Sequence, residues 1–243
     1  MSRLECCLRA CAGVCLLASG VACFDPDDYV VGEDLQLDDV LTLFLPAPSL
    51  PADGDTTVTL QARIPPRANA DHRLVTFATT AGSFLPDGQM TIHVTADADG
   101  AALARLRAPS TVSSAIVTAE VGGFVRTGTV DFVWAPPDTI EIDPGTFSLR
   151  ASVNVSSTVT AILRRNHGTT TVGTIVHFTA VDTTGSRIGE FRSNNPSDAT
   201  GRATALFTVG NTAYRGAVTI DATVEVGPGF TVRGTGRLVV IDQ

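Results

Sequence analysis

The cysteines have the widest possible chemistry in this sequence, since a thiolate can act as a nucleophile, bind a metal or form a disulfide. All five lie near the amino terminus, at Cys6, Cys7, Cys11, Cys15 and Cys23, and the remaining 220 residues contain none. The chain after Cys23 therefore has no disulfide, no thiol nucleophile and no thiolate metal ligand. We expect packing and sheet hydrogen bonds alone to stabilise it.

The histidines are the next candidates for catalysis or metal binding. They are His72, His93, His167 and His177, and no pair has the spacing of an HxH or HExxH motif. The sequence also lacks a G-x-S-x-G elbow and a phosphate-binding glycine loop. We therefore predict that the protein is not an enzyme, that it has no catalytic, cofactor-binding or metal-binding residues and that it needs no cofactor.

One acidic segment, Asp97-Ala98-Asp99-Gly100, has the composition of a calcium loop. An EF-hand loop aligned on Gly100 would end at Leu106, where a bidentate Glu is required. The D-x-x-G pattern recurs at Asp198–Gly201, which favours a structural turn: the carboxylate accepts from backbone N–H groups and Gly supplies a positive φ. A calcium site between domains, near Asp138, Glu141 and Asp143, stays open as an alternative.

The overall composition indicates strands as the elements that position these residues. Hydrophobic residues make up 44% of the chain and charged residues 17%, with few helical apolar periodicities. The net charge of -8 and the pI near 4.9 argue against a phosphate-binding surface, so we expect no nucleic-acid partner. Nor does any segment indicate a small-molecule substrate.

The first residues are typical of an export signal. Arg3 and Arg9 precede an apolar run of thirteen residues, Ala10–Ala22, which is too short to span a bilayer but matches the hydrophobic region of a signal peptide. The alternative is a buried helix of the folded domain. The acidic segment Phe24-Asp25-Pro26-Asp27-Asp28 that follows favours a tether after a cleavage site.

The segment Ser19-Gly20-Val21-Ala22-Cys23 resembles the bacterial lipobox, although Gly20 replaces the usual leucine. The resemblance implies a diacylglycerol thioether on Cys23 and cleavage before it. Two or more acyl chains would give a stable membrane anchor, at about 0.8 kcal/mol per buried methylene. The competing interpretation is ordinary cleavage near Ala22, which leaves Cys23 as a free thiol.

An internal repeat defines the organisation of the remaining chain. At an offset of 101 residues, Val58-Thr59 corresponds to Val159-Thr160, and Val75 and Phe77 correspond to Val176 and Phe178. The D-x-x-G segments above match at the same offset. About 100 residues is the size of one immunoglobulin-like sandwich.

Short alternating segments separated by turn residues predict strands in both copies. The predicted strands are 57–62, 74–79, 90–95, 102–106, 115–121 and 129–134 in the first copy, and 159–163, 175–181, 203–208, 217–224 and 231–241 in the second. The fold class is therefore all-β, with two tandem immunoglobulin-like β-sandwich domains after an N-terminal signal peptide. We place the signal peptide at residues 1–22, a flexible tether at 23–36, and the domains at 37–135 and 136–243.

Four further features bear on how the two domains are joined and how the second copy differs from the first. The linker Ala135-Pro136-Pro137-Asp138 favours limited bending between the domains, and we expect Trp134 to be buried at their junction. The second copy lacks a clear Ala-Asp-Gly opening and carries an insert around Gly185 to Asn195.

Both copies resemble group 1 bacterial Ig-like domains, the repeats of invasin and intimin-like adhesins. The resemblance covers residues 37–243 and depends on the order of several short motifs. These are Ala52-Asp53-Gly54, Val58-Thr59-Leu60, Val75-Thr76-Phe77, Ala81-Gly82, Asp97 with Gly100-Ala101-Ala102, and Val117-Thr118-Ala119 in the first copy; the second has Val176-His177-Phe178, Asp198–Ala203 and Ile220-Asp221-Ala222.

The resemblance implies an exported protein of the cell envelope that acts as a surface spacer or binding module, with adhesion as the family-level expectation. We expect a lipid-anchored protein, at the outer membrane or cell surface rather than the inner membrane, that contacts another protein or surface component. One alternative is a structural subunit of a periplasmic or outer-membrane assembly. A further alternative is a carbohydrate- or calcium-binding module.

Overall fold

A computed structural model describes residues 40–242, which form seventeen β-strands and a single 3-10 turn, Ala70–His72. The first half contains β1 (Thr42–Phe44), β2 (Ser49–Pro51), β3 (Thr57–Arg63), β4 (Leu74–Thr79), β5 (Ser83–Phe84), β6 (Thr91–Thr95), β7 (Ala101–Arg107), β8 (Ser113–Val121) and β9 (Phe124–Val133). The second contains β10 (Thr139–Asp143), β11 (Ser148–Arg150), β12 (Ser156–Arg164), β13 (His177–Val181), β14 (Glu190–Asn195), β15 (Arg202–Thr208), β16 (Gly216–Gly227) and β17 (Phe230–Ile241).

The strands follow from alternation in the sequence. In β3, Val58, Leu60 and Ala62 are buried, while the residues between them face outward or lie partly exposed. Because successive side chains of a strand point to opposite faces, one face of each strand joins the core and the other meets solvent.

Each half forms a two-layered sandwich. The first consists of the sheets β1-β3-β7-β5 and β2-β9-β8-β4-β6, and the second of β10-β12-β15-β14 and β11-β17-β16-β13. All pairings are antiparallel except the short β2–β9 and β11–β17 pairs, which are parallel. The predicted fold class of two tandem immunoglobulin-like sandwiches is confirmed for the described residues.

Phenylalanines occupy the centre of both cores. Phe77 and Phe84 lie in the first, with ring centroids 6.2 Å apart. In the second, Phe191 stacks on Phe178 at 5.5 Å and contacts Phe207 at 5.0 Å. Burial of such a side chain contributes about 1.5–3 kcal/mol, and no disulfide supplements these contacts after Cys23.

The two sandwiches differ at one sheet edge. In the first, β6 pairs with β4. In the second, the insert around Gly185 to Asn195 contains β14, which pairs with β15 in the opposite sheet and leaves β13 at the edge. Asn194 Nδ2 donates to Val176 O at 2.9 Å, and Ile188 N donates to Ala180 O at 3.0 Å. These two hydrogen bonds shorten the open edge, which limits pairing with other chains.

Most predicted strands are confirmed within a few residues, and one boundary is wrong. β9 begins at Phe124 and not at 129, because the β8–β9 turn lies at Gly122-Gly123, both with positive φ. The segments β1, β2, β5, β10, β11 and β14 were not predicted. Most are short edge strands, whose two or three residues carry too little alternation to be recognised.

Candidate functional site at the interdomain junction

Residues 165–174, in the loop between β12 and β13, contact the Ala52-Asp53-Gly54 motif of the first sandwich; we call this segment the junction loop. Thr169 donates to Asp53 O through its backbone N at 2.9 Å and its Oγ1 at 3.0 Å. Thr171 Oγ1 donates to Ala52 O at 2.9 Å. The motif therefore presents backbone carbonyls, and the threonines of the junction loop supply the donors.

The linker takes part in the same network. Ala135 N donates to Thr171 Oγ1 at 2.8 Å, and Thr171 N donates to Ala135 O at 3.2 Å. Val172 N donates to Ser110 O at 2.9 Å. Since Ala135 and Thr171 are almost fully buried, this linker is part of a packed interface and not a free spacer.

Asp53 organises the acceptor side of the junction and is only 1% exposed. Its Oδ1 accepts from Asp55 N at 3.0 Å and Thr56 N at 2.8 Å, and its Oδ2 accepts from Thr56 Oγ1 at 2.6 Å. Burial raises the pKa of Asp53, but these hydrogen bonds and the nearby charge of Arg165 outweigh it and hold the pKa below its usual value. Asp53 is therefore ionised at neutral pH, and its charge fixes the turn that carries the two acceptor carbonyls.

Gly168 allows the close approach of the junction loop. Its φ is +66°, and a Cβ there would lie 2.7 Å from Asp53 Cγ and 2.9 Å from Asp53 O. A side chain at this position would need both a disfavoured backbone conformation and a displaced Asp53.

Trp134 lies at the junction, but the prediction that it is buried there is wrong. Its Nε1 donates to Thr174 Oγ1 at 3.1 Å, and 37% of the residue remains exposed. The indole borders an open cleft of about 670 Å³ that Glu225, Pro228 and Phe230 of the β16–β17 hairpin also line. We call this the aromatic cleft. The indole is thus hydrogen-bonded to the second sandwich while part of it stays exposed to solvent.

The two D-x-x-G segments are structural turns, as predicted. Asp97 Oδ1 accepts from Asp99 N at 3.0 Å and Ala101 N at 2.8 Å, and Asp198 Oδ1 accepts from the equivalent Thr200 N and Arg202 N. Hydrogen bonds from Arg202 N and the Thr200 hydroxyl lower the pKa of Asp198. Gly100 and Gly201 have φ of +79° and +75°.

The carboxylates considered for calcium point to separate partners. Asp138 Oδ2 accepts from Asn166 N at 2.7 Å, Glu141 pairs with Arg164 at 3.0 Å, and Asp143 Oδ1 accepts from Gly145 N at 2.9 Å. Among residues 40–242 no group of three His, Cys, Asp or Glu side chains has the geometry for a metal ion.

The histidines also have separate surroundings. His93 Nδ1 lies 3.0 Å from Thr76 Oγ1 across β4 and β6, whereas His167 lies in the junction loop and His177 begins β13. His72 ends the 3-10 turn at the other end of the first sandwich. The structure does not bring them together into one site.

Cys23, the predicted lipid attachment residue, lies outside the described residues, as do the signal peptide and the tether. No helix within residues 40–242 is long and apolar enough to cross a membrane.

The junction loop is the feature that sequence reasoning missed. Its signal was a gap in the repeat: Asn166 to Thr174 has no similarity to the corresponding segment of the first copy, Pro65–Arg73. A local loss of similarity inside a strong repeat marks a segment with a separate role.

These features define a class of fold: two tandem immunoglobulin-like sandwiches joined by a hydrogen-bonded junction. Solved structures with the same immunoglobulin-like fold are similar to this chain. No protein-family profile and no curated protein sequence matches the chain.

Among solved structures, the chain is similar to invasin, described as a bacterial integrin-binding protein, with 21% identity and a TM-score of 0.59. The match covers 84% of this chain and 40% of the invasin chain. It is also similar to the Yersinia pseudotuberculosis adhesin InvE, with 18% identity, a TM-score of 0.52 and coverage of 84% and 59% of the two chains. The chain thus spans less than two thirds of the length of each of these proteins and shares their fold.

Proposed function

We propose that this chain is a lipid-anchored protein of the bacterial cell envelope, whose tandem sandwiches act as a surface spacer and binding module in adhesion. The observation that carries this proposal is the junction between Ala52-Asp53-Gly54 and Thr169–Thr171, because it joins the two sandwiches through buried hydrogen bonds. A stiff pair of domains holds a recognition surface at a fixed distance from its anchor.

Two further observations support the proposal. Invasin and InvE, which share the fold, are described as an integrin-binding protein and an adhesin. The lipobox-like segment ending at Cys23 supplies an anchor on the amino-terminal side of both sandwiches. Recognition would then use strand edges or loops, which Ig-like folds commonly present to partners.

The anchor is tested by Cys23→Ala in cells that produce the full chain. We expect the wild type to fractionate with membranes and to carry acyl mass on Cys23, and the variant to lose both properties. Cys15→Ala is the matched control, since it changes a cysteine of the apolar run without removing the attachment residue. A Cys23→Ala chain that stays in the membrane fraction, with no acyl mass on the wild type, contradicts the anchor.

The surface role is tested separately with antibodies against residues 136–243 applied to intact cells. Adhesion predicts that intact cells bind the antibody and that cells producing the full chain adhere to host-cell monolayers better than Cys23→Ala cells do. Antibody binding only after the outer membrane is permeabilised would contradict the surface location. It would favour a structural subunit inside the envelope.

A further inference from the structure

A proline-arginine corner projects from the first sandwich at the end opposite the junction. Ala68 N donates to Pro65 O at 3.0 Å, which closes a turn with Pro66 and Arg67 at its two central positions. Pro65, Pro66 and Arg67 are all exposed. Arg67 has no ion-pair partner among residues 40–242.

Hydrogen bonds from the Arg73 side chain hold this corner in one conformation. Arg73 donates to three backbone carbonyls: through Nε to Ala68 O at 3.1 Å, through Nη1 to Asp97 O at 2.8 Å and through Nη2 to Pro66 O. Ile64 N donates to Gly100 O at 2.9 Å. A loop ordered before it binds loses little conformational entropy on association, so the corner is prepared for contact.

The aromatic cleft has the complementary chemistry. Phe230 is 72% exposed and Trp134 37% exposed, and Pro228 lies between the hairpin strands beside them. Glu225 lines the same cleft and has no ion-pair partner within the described part of the chain. Proline rings pack well in aromatic-lined grooves, and a guanidinium pairs with a carboxylate through charge-assisted hydrogen bonds.

The corner and the cleft of one chain lie too far apart to meet. A Cβ on Gly122 would lie 3.6 Å from His72 Nδ1, which places the corner's end of the sandwich beside the start of β9. Trp134 follows the last residue of β9, and ten residues of strand span about 33 Å at ~3.3 Å per residue. Only a second molecule can therefore bring a corner to this cleft.

We propose that a second copy of this chain places its Pro66-Arg67 corner in the aromatic cleft, with Arg67 of one copy paired to Glu225 of the other. Two first sandwiches that lie antiparallel side by side place each corner at the other copy's junction. The contact is then made twice about a two-fold axis, and the assembly closes as a dimer. Such a dimer requires neither the lipid anchor nor a role in adhesion.

The test is charge reversal on the full chain, with mass measured by sedimentation velocity in a density-matched detergent. The wild type is expected to show a concentration-dependent dimer. Arg67→Glu and Glu225→Arg should each weaken it by about tenfold or more, since like charges then face each other. The double variant should recover the wild-type dimer, because the pair is restored with its signs exchanged.

Apolar contact is tested by Phe230→Ala, which should weaken the dimer, with Phe147→Ala as the matched control. Phe147 is 88% exposed and does not line the cleft, so its removal should leave the dimer unchanged. At a concentration where the wild type is also monomeric, far-ultraviolet circular dichroism melting should be the same for all these variants, which separates loss of contact from loss of fold.

Two results would overturn the proposal. One is a wild-type chain that stays monomeric at every concentration. In that case, quenching of Trp134 fluorescence by an acetylated Pro-Pro-Arg-Pro-Pro peptide would assign the cleft to a different proline-rich partner. The other is a double charge reversal that fails to restore the dimer lost in both single variants.

Discussion

The loop after β3 in the first sandwich and the loop after β12 in the second occupy the same position in the fold, yet they have opposite exposure. Pro65–Arg73 contains two prolines, a 3-10 turn and an exposed Arg67. The junction loop, 165–174, contains Gly168 and three consecutive threonines, and much of it is buried against the first sandwich. Its hydroxyls and backbone N–H groups donate to backbone carbonyls of the first sandwich, including those of Ala52 and Asp53.

This difference shows how a repeated domain obtains two kinds of surface from one scaffold. Threonines and a glycine allow a loop to approach a neighbouring backbone closely and to satisfy its carbonyls. Prolines remove backbone donors and fix a corner that cannot make such a network. The strands set where the loop lies, and the loop residues decide whether it packs inside the chain or faces outward.

The acceptor ends of the two sandwiches differ in a related way. In the first, Ala52 N donates to Val133 O, and in the second Ala151 N makes the equivalent hydrogen bond to Ile241 O. The position of Asp53 is then occupied by Ser152, whose Oγ accepts from Asn154 N at a longer 3.3 Å. The buried carboxylate is thus found only at the acceptor end that binds the junction loop.

Among substitutions that test the difference between the two loops, Gly168→Ala is expected to cause the largest loss of unfolding free energy. The added Cβ would lie 2.7 Å from Asp53 Cγ at a positive φ, so the junction should lose about 3 kcal/mol. Urea unfolding followed by fluorescence measures the loss, since Trp134 is the single tryptophan and lies at the junction. Gly173→Ala is the control: its φ is +87°, but a Cβ there has nothing within 4 Å. Equal losses in both variants would mean that the contact with Asp53 contributes nothing.

A smaller loss is expected from Thr171→Val, which removes the hydroxyl shared by Ala52 O and Ala135 N. Two buried backbone groups then lack partners, and the expected cost is about 2 kcal/mol in the same unfolding measurement. The neighbouring Thr170 gives a sharp control, since its buried Oγ1 has no hydrogen-bond partner in the described residues. Thr170→Val should be neutral or stabilising. If Thr170→Val destabilises as much as Thr171→Val, shape and not hydrogen bonding holds the loop.

Asp53→Asn is expected to cost about 1 kcal/mol at pH 7, because the turn loses charge-assisted hydrogen bonds. The pKa of Asp53 in the folded state is below the 3.8 of an unperturbed aspartate, so its contribution to stability is complete above that value and is lost as the pH falls through the folded pKa. The difference between wild type and variant should therefore shrink below about pH 4. A difference between wild type and Asp53→Asn that does not shrink as the pH falls below 4 would show that the charge of Asp53 is not its cause.

The smallest effect is expected from Glu141→Gln, which removes the ion pair with Arg164 just before the junction loop. Both side chains are 62% exposed, and such pairs contribute roughly 0.2–1 kcal/mol. Thermal unfolding in low and high salt should therefore differ little between variant and wild type. A loss as large as that of Thr171→Val would mean that exposed charges support the junction as much as its buried hydrogen bonds do.

The parts of the structure that were predictable are those governed by local pattern. The alternation in β4, β7 and β17 fixed these strands nearly to the residue, because one face of each must be buried. The D-x-x-G turns were predictable for a similar reason, since the Asp side chain bonds to its own turn and Gly is needed for a positive φ. The exposure of Trp134 was not predictable, because it depends on the distance between the indole and the β16–β17 hairpin of the second sandwich.

The sequence by itself determined that this protein is all-β, that its unit is repeated and that no cysteine follows residue 23. These properties depend on residue type and on spacing along one chain. Tertiary structure alone decided that Asp53, Gly168 and Thr171 meet, that the linker is buried between two sandwiches and that Trp134 borders a cleft. The physical reason is that these contacts join residues more than a hundred positions apart or on different sheets, and no local pattern encodes such a distance.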